Sequence, residues 1–240
     1  MHTYIYVLIG LLVISSTACN SAQSGHDTAD TLTNKVPAKI AVTVPVGKVI
    51  DYDGNTYRTV KIGTQTWMAE NLRVAHYNSG DAIAHIKSDK QWRNYPSGAW
   101  CIYNNDTTAH CGYLYNWHAV TDNRKLAPRG WHIPTDAEWE ILAKHLGGLP
   151  VAGSKLKANN FWGADDHTAT GQSLFNAQPC GMRNNNGIFD NKAFLAVWWT
   201  TTTEPDADFA ANYRLLAQST AIKLDVDDRV CGFSVRCIKD

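Results

Sequence analysis

The sequence predicts an α+β fold of short, mainly antiparallel strands, two short helices at about 113–120 and 136–146, and long polar loops. Three observations carry that prediction. Asp53-Gly54 separates two runs rich in β-branched and aromatic residues, and glycine accepts positive φ at no steric cost, so the pair marks a hairpin. Residues 130–148, GWHIPTDAEWEILAKHLGG, combine a capping signal, an apolar stripe and a glycine stop. Elsewhere the apolar runs are short and separated by stretches of Asn, Asp, Thr and Gly.

From the N-terminus, Tyr4–Ile14 is an apolar run too short to span a bilayer but long enough for the core of a secretory signal. Small residues then lead to Cys19 in SSTAC, an order that resembles a bacterial lipobox, although Ser16 stands where an aliphatic residue is usual and no Lys or Arg precedes Lys35. Residues 1–18 are therefore expected to be a signal peptide and Cys19 to be lipidated. Residues 19–46 carry no aromatic side chain, cannot bury enough surface to offset their ordering entropy, and read as a flexible tether. The folded domain is expected over 47–240, held in the cell envelope at the outer membrane or cell surface.

After the first hairpin a second break at Gly63 leads into Trp67. Cys101 and Cys111 flank a polar loop, and the aromatic segment from Tyr113 to Val120 is expected to be helical. The run AFLAVWWTTT, residues 193–202, is apolar on both alternating faces, as in a central strand covered on both sides. By contrast CGFSVRC, residues 231–237, alternates. On a last strand it would put Cys231, Phe233, Val235 and Cys237 on one face and Gly232, Ser234 and Arg236 on the other.

Residues 130–148 also place His132, Glu138, Glu140 and His145 close in sequence, which raises a metal reading. Thr135 and Glu138 have capping-box spacing, while Trp139, Leu142, Ala143 and Leu146 form one apolar stripe that ends at Gly147-Gly148. Asp136, Glu138 and Glu140 sit at the positive end of the helix dipole. His132 and His145 would lie roughly 15–20 Å apart at about 1.5 Å per residue, too far for one ion. The segment reads as scaffold.

Of 240 residues 44% are hydrophobic and 18% charged, with nine Trp and ten Tyr, enough for one sizeable core. Twenty-two basic and twenty-two acidic residues cancel, so no broad positive field recruits nucleic acid. The expected membrane contact is the N-terminal lipid.

The segments DYDGNTYRTVKIGTQTWMAENLR, YLYNWHAV, LAPRGWHIPTDAEWEIL, GSKLKA, WWTTTTE and GFSVRCIKD occur in the order found in the Fibrobacter succinogenes major paralogous domain family, which the chain resembles from about Val49 to Asp240. The resemblance implies an exported, often lipid-anchored protein with a fold of the C-type lectin-like and formylglycine-generating-enzyme group. It implies no particular reaction.

Three function classes follow. The first is a non-catalytic binding module with glycans as the candidate ligand, and with Asn104-Asn105-Asp106 and Asn184-Asn185-Asn186 as polar contacts beside aromatic stacking faces. Asn also tolerates left-handed backbone, so the same runs serve as turns. A calcium version uses Glu204 and Asp206 of a Glu-Pro-Asp triplet, which resembles the sugar-binding triplet of calcium-dependent lectins, with Asp225, Asp227 and Asp228 about twenty residues on, as hard oxygen ligands. The second class, an enzyme of the formylglycine-generating type, needs paired reactive cysteines; Cys231 and Cys237 would lie about 20 Å apart along a strand at roughly 3.3 Å per residue. With no other catalytic constellation in the chain, the expectation is no enzyme and no cofactor other than calcium. The third class is a structural component of the envelope, in contact with other envelope proteins.

An oxidising compartment favours disulfides, and five cysteines remain beside Cys19. Closing the polar loop between Cys101 and Cys111 is the shortest route to one bridge. In the family the position of Cys180 is usually Gly and that of Cys231 is not Cys, so the resemblance implies that these two pair. It leaves Cys237 of the terminal motif buried and unpaired. The competing arrangement bridges Cys101 to Cys237 and leaves Cys111 free.

Overall fold

The computed structural model describes residues 45–108, 111–163 and 165–240, all within a compact unit spanning Ile40–Asp240. The expected signal peptide, Cys19 and nearly all of the tether lie outside the described residues. The first hairpin joins β1 (Pro45–Ile50) to β2 (Thr56–Ile62) through Gly54 at φ 81°, and Gly63 at φ 61° turns β2 into β3 (Gln65–Met68). Then come β4 (Ala84–His85), α1 (Asp89–Arg93), β5 (Ala99–Cys101), β6 (Leu114–Tyr115), α2 (Trp117–Val120) and β7 (Trp131–His132). Next are α3 (Asp136–His145), α4 (Leu149–Leu156), β8 (Met182–Arg183) and β9 (Phe189–Asp190). The chain closes with β10 (Leu195–Thr203), β11 (Phe209–Leu216), β12 (Ile222–Asp228) and β13 (Ile238–Lys239).

The largest sheet runs β1-β2-β3-β13-β7, so the last strand closes between the first hairpin and the strand that precedes α3. β10-β11-β12, β4-β5-β6 and β8-β9 form smaller sheets, and β4–β5 is the parallel pair among antiparallel ones. The architecture is α+β.

β10 is the wall between two cores. Leu195, Val197 and Trp199 point into the first core with Phe233 and Val235, whereas Ala196 and Trp198 point into the second with Trp67, Trp139 and Phe175. This is the two-faced burial that its uninterrupted apolar run predicts. The residues of 231–237 split as expected, with Cys231, Phe233, Val235 and Cys237 all in the first core. Their counterparts Ser234 and Arg236 are buried too, however, and the segment is an extended connector bridged singly to Arg183, Tyr115 and Trp198. The last paired strand is β13, beyond it.

The helix of residues 136–146 forms as α3, with the Thr135–Glu138 capping box and the Trp139, Leu142, Ala143, Leu146 stripe buried in the second core. Three helical expectations need correction. Residues 113–116 are not helical: Leu114 and Tyr115 pair with β5, and only 117–120 turn, started by Asn116, whose side chain accepts from the Ala119 N–H. Gly147-Gly148 is a hinge as well as a stop, because Gly148 caps α4 and Pro150 suits its first turn. α1 is a single turn, too short to show a period, so four short α-helices occur among the described residues where two were expected.

His132 is fixed by one partner in the first turn of α3 and one at the end of the chain. It is held between Glu138 and Asp240, each 2.7 Å from one of its ring nitrogens. Burial alone would lower its pKa, but hydrogen bonds to Asp240 and Glu138 outweigh that and raise it.

The cysteine pairing also differs from expectation. Cys111 bonds Cys180, with Cα atoms 5.6 Å apart, and Cys101, Cys231 and Cys237 are free and buried. Cys101 faces Leu114 across the β5–β6 ladder and packs with Trp92 in a small third core, so it cannot turn to Cys111 three residues further out. Gly112, at φ 78°, instead turns Cys111 toward the segment around Asn71, close enough that a Cβ there would meet the Leu72 carbonyl at 2.8 Å. Cys231 lies beside the Gly232–Arg183 bridge in the first core, and Cys180 is taken by Cys111. The unpaired, buried Cys237 is as expected. Burial pushes the thiols of Cys101 and Cys231 up to about 12, which makes both poor nucleophiles. Non-reducing peptide mapping after alkylation in denaturant is expected to find Cys111 cross-linked to Cys180 and label on the other three; a cross-link containing Cys101, Cys231 or Cys237 refutes this pairing.

Candidate functional site

The chosen loop residues do not assemble one site. Asn104 and Asn105 adopt left-handed φ of 52° and 55° in a one-turn 3₁₀ segment, and Asp106 accepts from the N–H and hydroxyl of Thr108, so this run makes a turn. Asn184–Asn186 make the β8–β9 turn, with the Asn186 side chain accepting from the Ile188 N–H and Asn185 reaching Asp228 at 3.3 Å.

The acidic triplets come to one end of the β10-β11-β12 sheet, since Phe209 pairs with Asp228. The carboxylates of Asp206, Asp225, Asp227 and Asp228 have other partners. Asp225 and Asp227 both ion-pair with Arg214, Asp227 also accepts from Asn212, and Asp228 caps the Val230 N–H. Asp206 accepts from the Asp208 N–H inside its own loop, and Glu204 lies in that loop. Among the described residues no three His, Cys, Asp or Glu side chains converge as a metal site.

A cleft of about 580 Å³ does assemble, from five stretches: residues 69–73 after β3, Ile102 and Thr107 on either side of the Asn104–Asp106 turn, residues 111–113, residues 176–180, and Arg236. Asn71 is its hub. The Asn71 Oδ1 accepts from the Trp198 indole at 2.9 Å and from Arg236 through Nε at 3.1 Å and Nη2 at 2.5 Å, while Nδ2 donates to the Cys111 carbonyl at 2.9 Å and the Ser234 hydroxyl at 3.2 Å. Arg236 also donates through Nη1 to the Phe175 carbonyl and lies over the Phe175 ring. It is buried, and burial pulls its guanidinium down to about 9.

One wall is aromatic. The Tyr113 ring stacks on Trp100 at 4.0 Å and 15°, and Trp100 stacks in turn on His85 at 4.0 Å and 7°. This backing fixes the plane of Tyr113, which is half-buried at the cleft edge. Asn176 and Gln178 add amide groups, and the Cys111–Cys180 disulfide ties two of the five stretches together. A smaller cleft of about 270 Å³ adjoins through Ala69 and Asn176, both of which line the two.

The sequence singles out Cys111 and Cys180 only as disulfide cysteines, and Asn71, Arg73, Asn176 and Gln178 escape notice because none forms a short-range motif. Arg236 stood on the polar face of an alternating run, and Asn71 within WMAENLR. The one available signal was an arginine among residues whose neighbours are all apolar or small.

No curated protein and no solved structure matches the chain. The Fibrobacter succinogenes major domain matches residues 60–239, which takes in the cleft and most of the core residues, and the chain belongs to that family.

Proposed function

We propose that the protein is a non-catalytic binding module of the cell envelope, anchored through lipid on Cys19, and that its cleft at Asn71, Tyr113 and Arg236 takes a glycan. The observation that carries the reading is Tyr113: an aromatic ring backed by Trp100 and His85 beside the amides of Asn176 and Gln178. A sugar offers an apolar C–H face for such a ring and hydroxyls for the amides. The C-type lectin-like fold belongs to the same proposal, supported by short antiparallel strands and long polar loops. A calcium requirement is not part of it, because Asp225 and Asp227 are engaged by Arg214.

A glycan array probed with residues 40–240 tests the reading. The segment starts ahead of β1, which begins at Pro45. Reproducible binding that Tyr113→Ala abolishes is expected; silence across the array shifts the function to a structural component of the envelope. The anchor has its own test. Cys19→Ser should release the protein from membranes or leave the precursor uncleaved, and a variant that matures and partitions as the wild type does refutes lipidation at Cys19.

A further inference from the structure

The cleft holds more positive than negative charge. Of its charged lining residues, Glu70 is committed: its carboxylate accepts from the Arg58 backbone N–H at 2.7 Å and from Arg58 Nε at 2.5 Å. Arg73 and Arg236 have no such partner. Among the described residues neither guanidinium has a carboxylate oxygen within ion-pairing distance. Arg73 makes one long contact, 3.4 Å to the Thr56 carbonyl, and sits 4.8 Å from the Tyr57 ring centroid. The nearby Asp51 carboxylate is used by Asn55 and by the Tyr57 hydroxyl.

Arg236 is held in place before any ligand arrives. Three of its N–H groups are bound by Asn71 and Phe175, two of the guanidinium's five remain without a partner among the described residues, and the group is buried. A buried cation normally has a counter-charge, because desolvation without one is costly. A buried Arg236 and a partly exposed Arg73 on one cleft, whose one lining carboxylate among the described residues is already bonded to Arg58, make a pocket that an anion would complete.

Resting on the glycan reading above, we propose that the cleft selects sugars bearing an oxyanion substituent, a carboxylate or a sulfate, with Arg73 and Arg236 as the groups that recognise it. The guanidinium fork matches either group bidentately. Tyr113 would carry the sugar ring and the arginines its charge.

Isothermal titration of the full chain in detergent decides this, using an oligogalacturonide, its fully methyl-esterified form and a sulfated galactan oligosaccharide. The acid should bind about tenfold or more tightly than the ester, as expected when a charged hydrogen bond is lost, and should weaken as salt rises. Arg73→Gln should erase that preference, bringing the acid's affinity to that of the ester, without changing thermal stability, and Arg73→Lys should restore part of it. Binding of the sulfated sugar in place of the acid, with the same dependence on Arg73, supports the proposal and assigns the oxyanion as sulfate. Equal binding of acid and ester, a preference that survives Arg73→Gln, or array hits confined to neutral sugars overturns the oxyanion proposal and leaves the glycan reading standing. A silent array together with no binding in titration overturns both.

Discussion

Trp139→Ala is expected to lower the unfolding free energy by about 3–5 kcal/mol, read from urea denaturation of the 40–240 segment. Trp139 is fully buried on α3 and meets four aromatic rings: Trp67 at 4.9 Å, Tyr213 at 5.2 Å in a near-parallel stack, Trp198 at 5.6 Å and Phe175 at 5.8 Å. These neighbours come from β3, β11, β10 and the loop after α4, so the cavity left by alanine would have walls on several elements and could not collapse by moving one. The other buried tryptophans of this core donate their indole N–H to an acceptor, Trp67 to Gln65, Trp162 to Ala177 and Trp198 to Asn71, whereas the Trp139 N–H has no partner among the described residues. Trp139→Phe removes that unpaired donor and keeps an aromatic ring, so it should cost clearly less than alanine. His145→Ala, on the exposed side of the same helix, should stay within about 0.5 kcal/mol. A loss for Trp139→Ala below about 1.5 kcal/mol would mean that α3 is not pinned to the second core through this side chain.

The contrast between these two residues shows which parts of the fold could be read in advance. α3 declared itself because its capping box, its 3.6-residue stripe and its glycine stop lie within one window and agree with one another. β10 declared itself in the same way, through an apolar run with no polar face. Residues 113–116 misled because aromatic residues fit a strand or a helix equally well, and what decides here is the ladder from Trp100 to Tyr115, a partner fifteen residues away. The cysteines misled for a related reason. Loop length favoured Cys101 with Cys111, but a bridge needs facing Cβ atoms, and β5 buries Cys101 with Trp92, Ala99 and Leu114, a core that does not include Cys111.

The cleft was less legible still. Its parts are separated by about as much chain as the domain contains, running from Ala69 to Arg236. Residue types that stand out in a sequence, the Asn runs and acidic triplets, were spent on turns and on Arg214. The arginine that matters was masked by its place in an alternating pattern, where a polar residue is ordinarily a solvated one. Only the closing of β13 between β3 and β7 carries the 231–237 connector through the interior and turns its polar face inward.

That inward polar face sets the second large effect. Asn71→Ala is expected to cost about 3–5 kcal/mol, a magnitude usual for stranding a buried charge. The asparagine side chain joins four partners: it accepts from Trp198 and Arg236 and donates to Cys111 and Ser234. Alanine would leave the Trp198 indole N–H and two Arg236 N–H groups buried without an acceptor, and each neutral donor so stranded costs about 1–3 kcal/mol, with more for a charged one. Asn71→Asp separates the contributions, since it keeps the acceptor and gives Arg236 a counter-charge, while losing the donation to the Cys111 carbonyl and the Ser234 hydroxyl. It should therefore be less destabilising than alanine. Equal losses for the two variants would assign the stabilisation to the bonds that Asn71 donates, and a loss for Asn71→Ala under about 1 kcal/mol would show that water, rather than Asn71, satisfies Arg236 in solution.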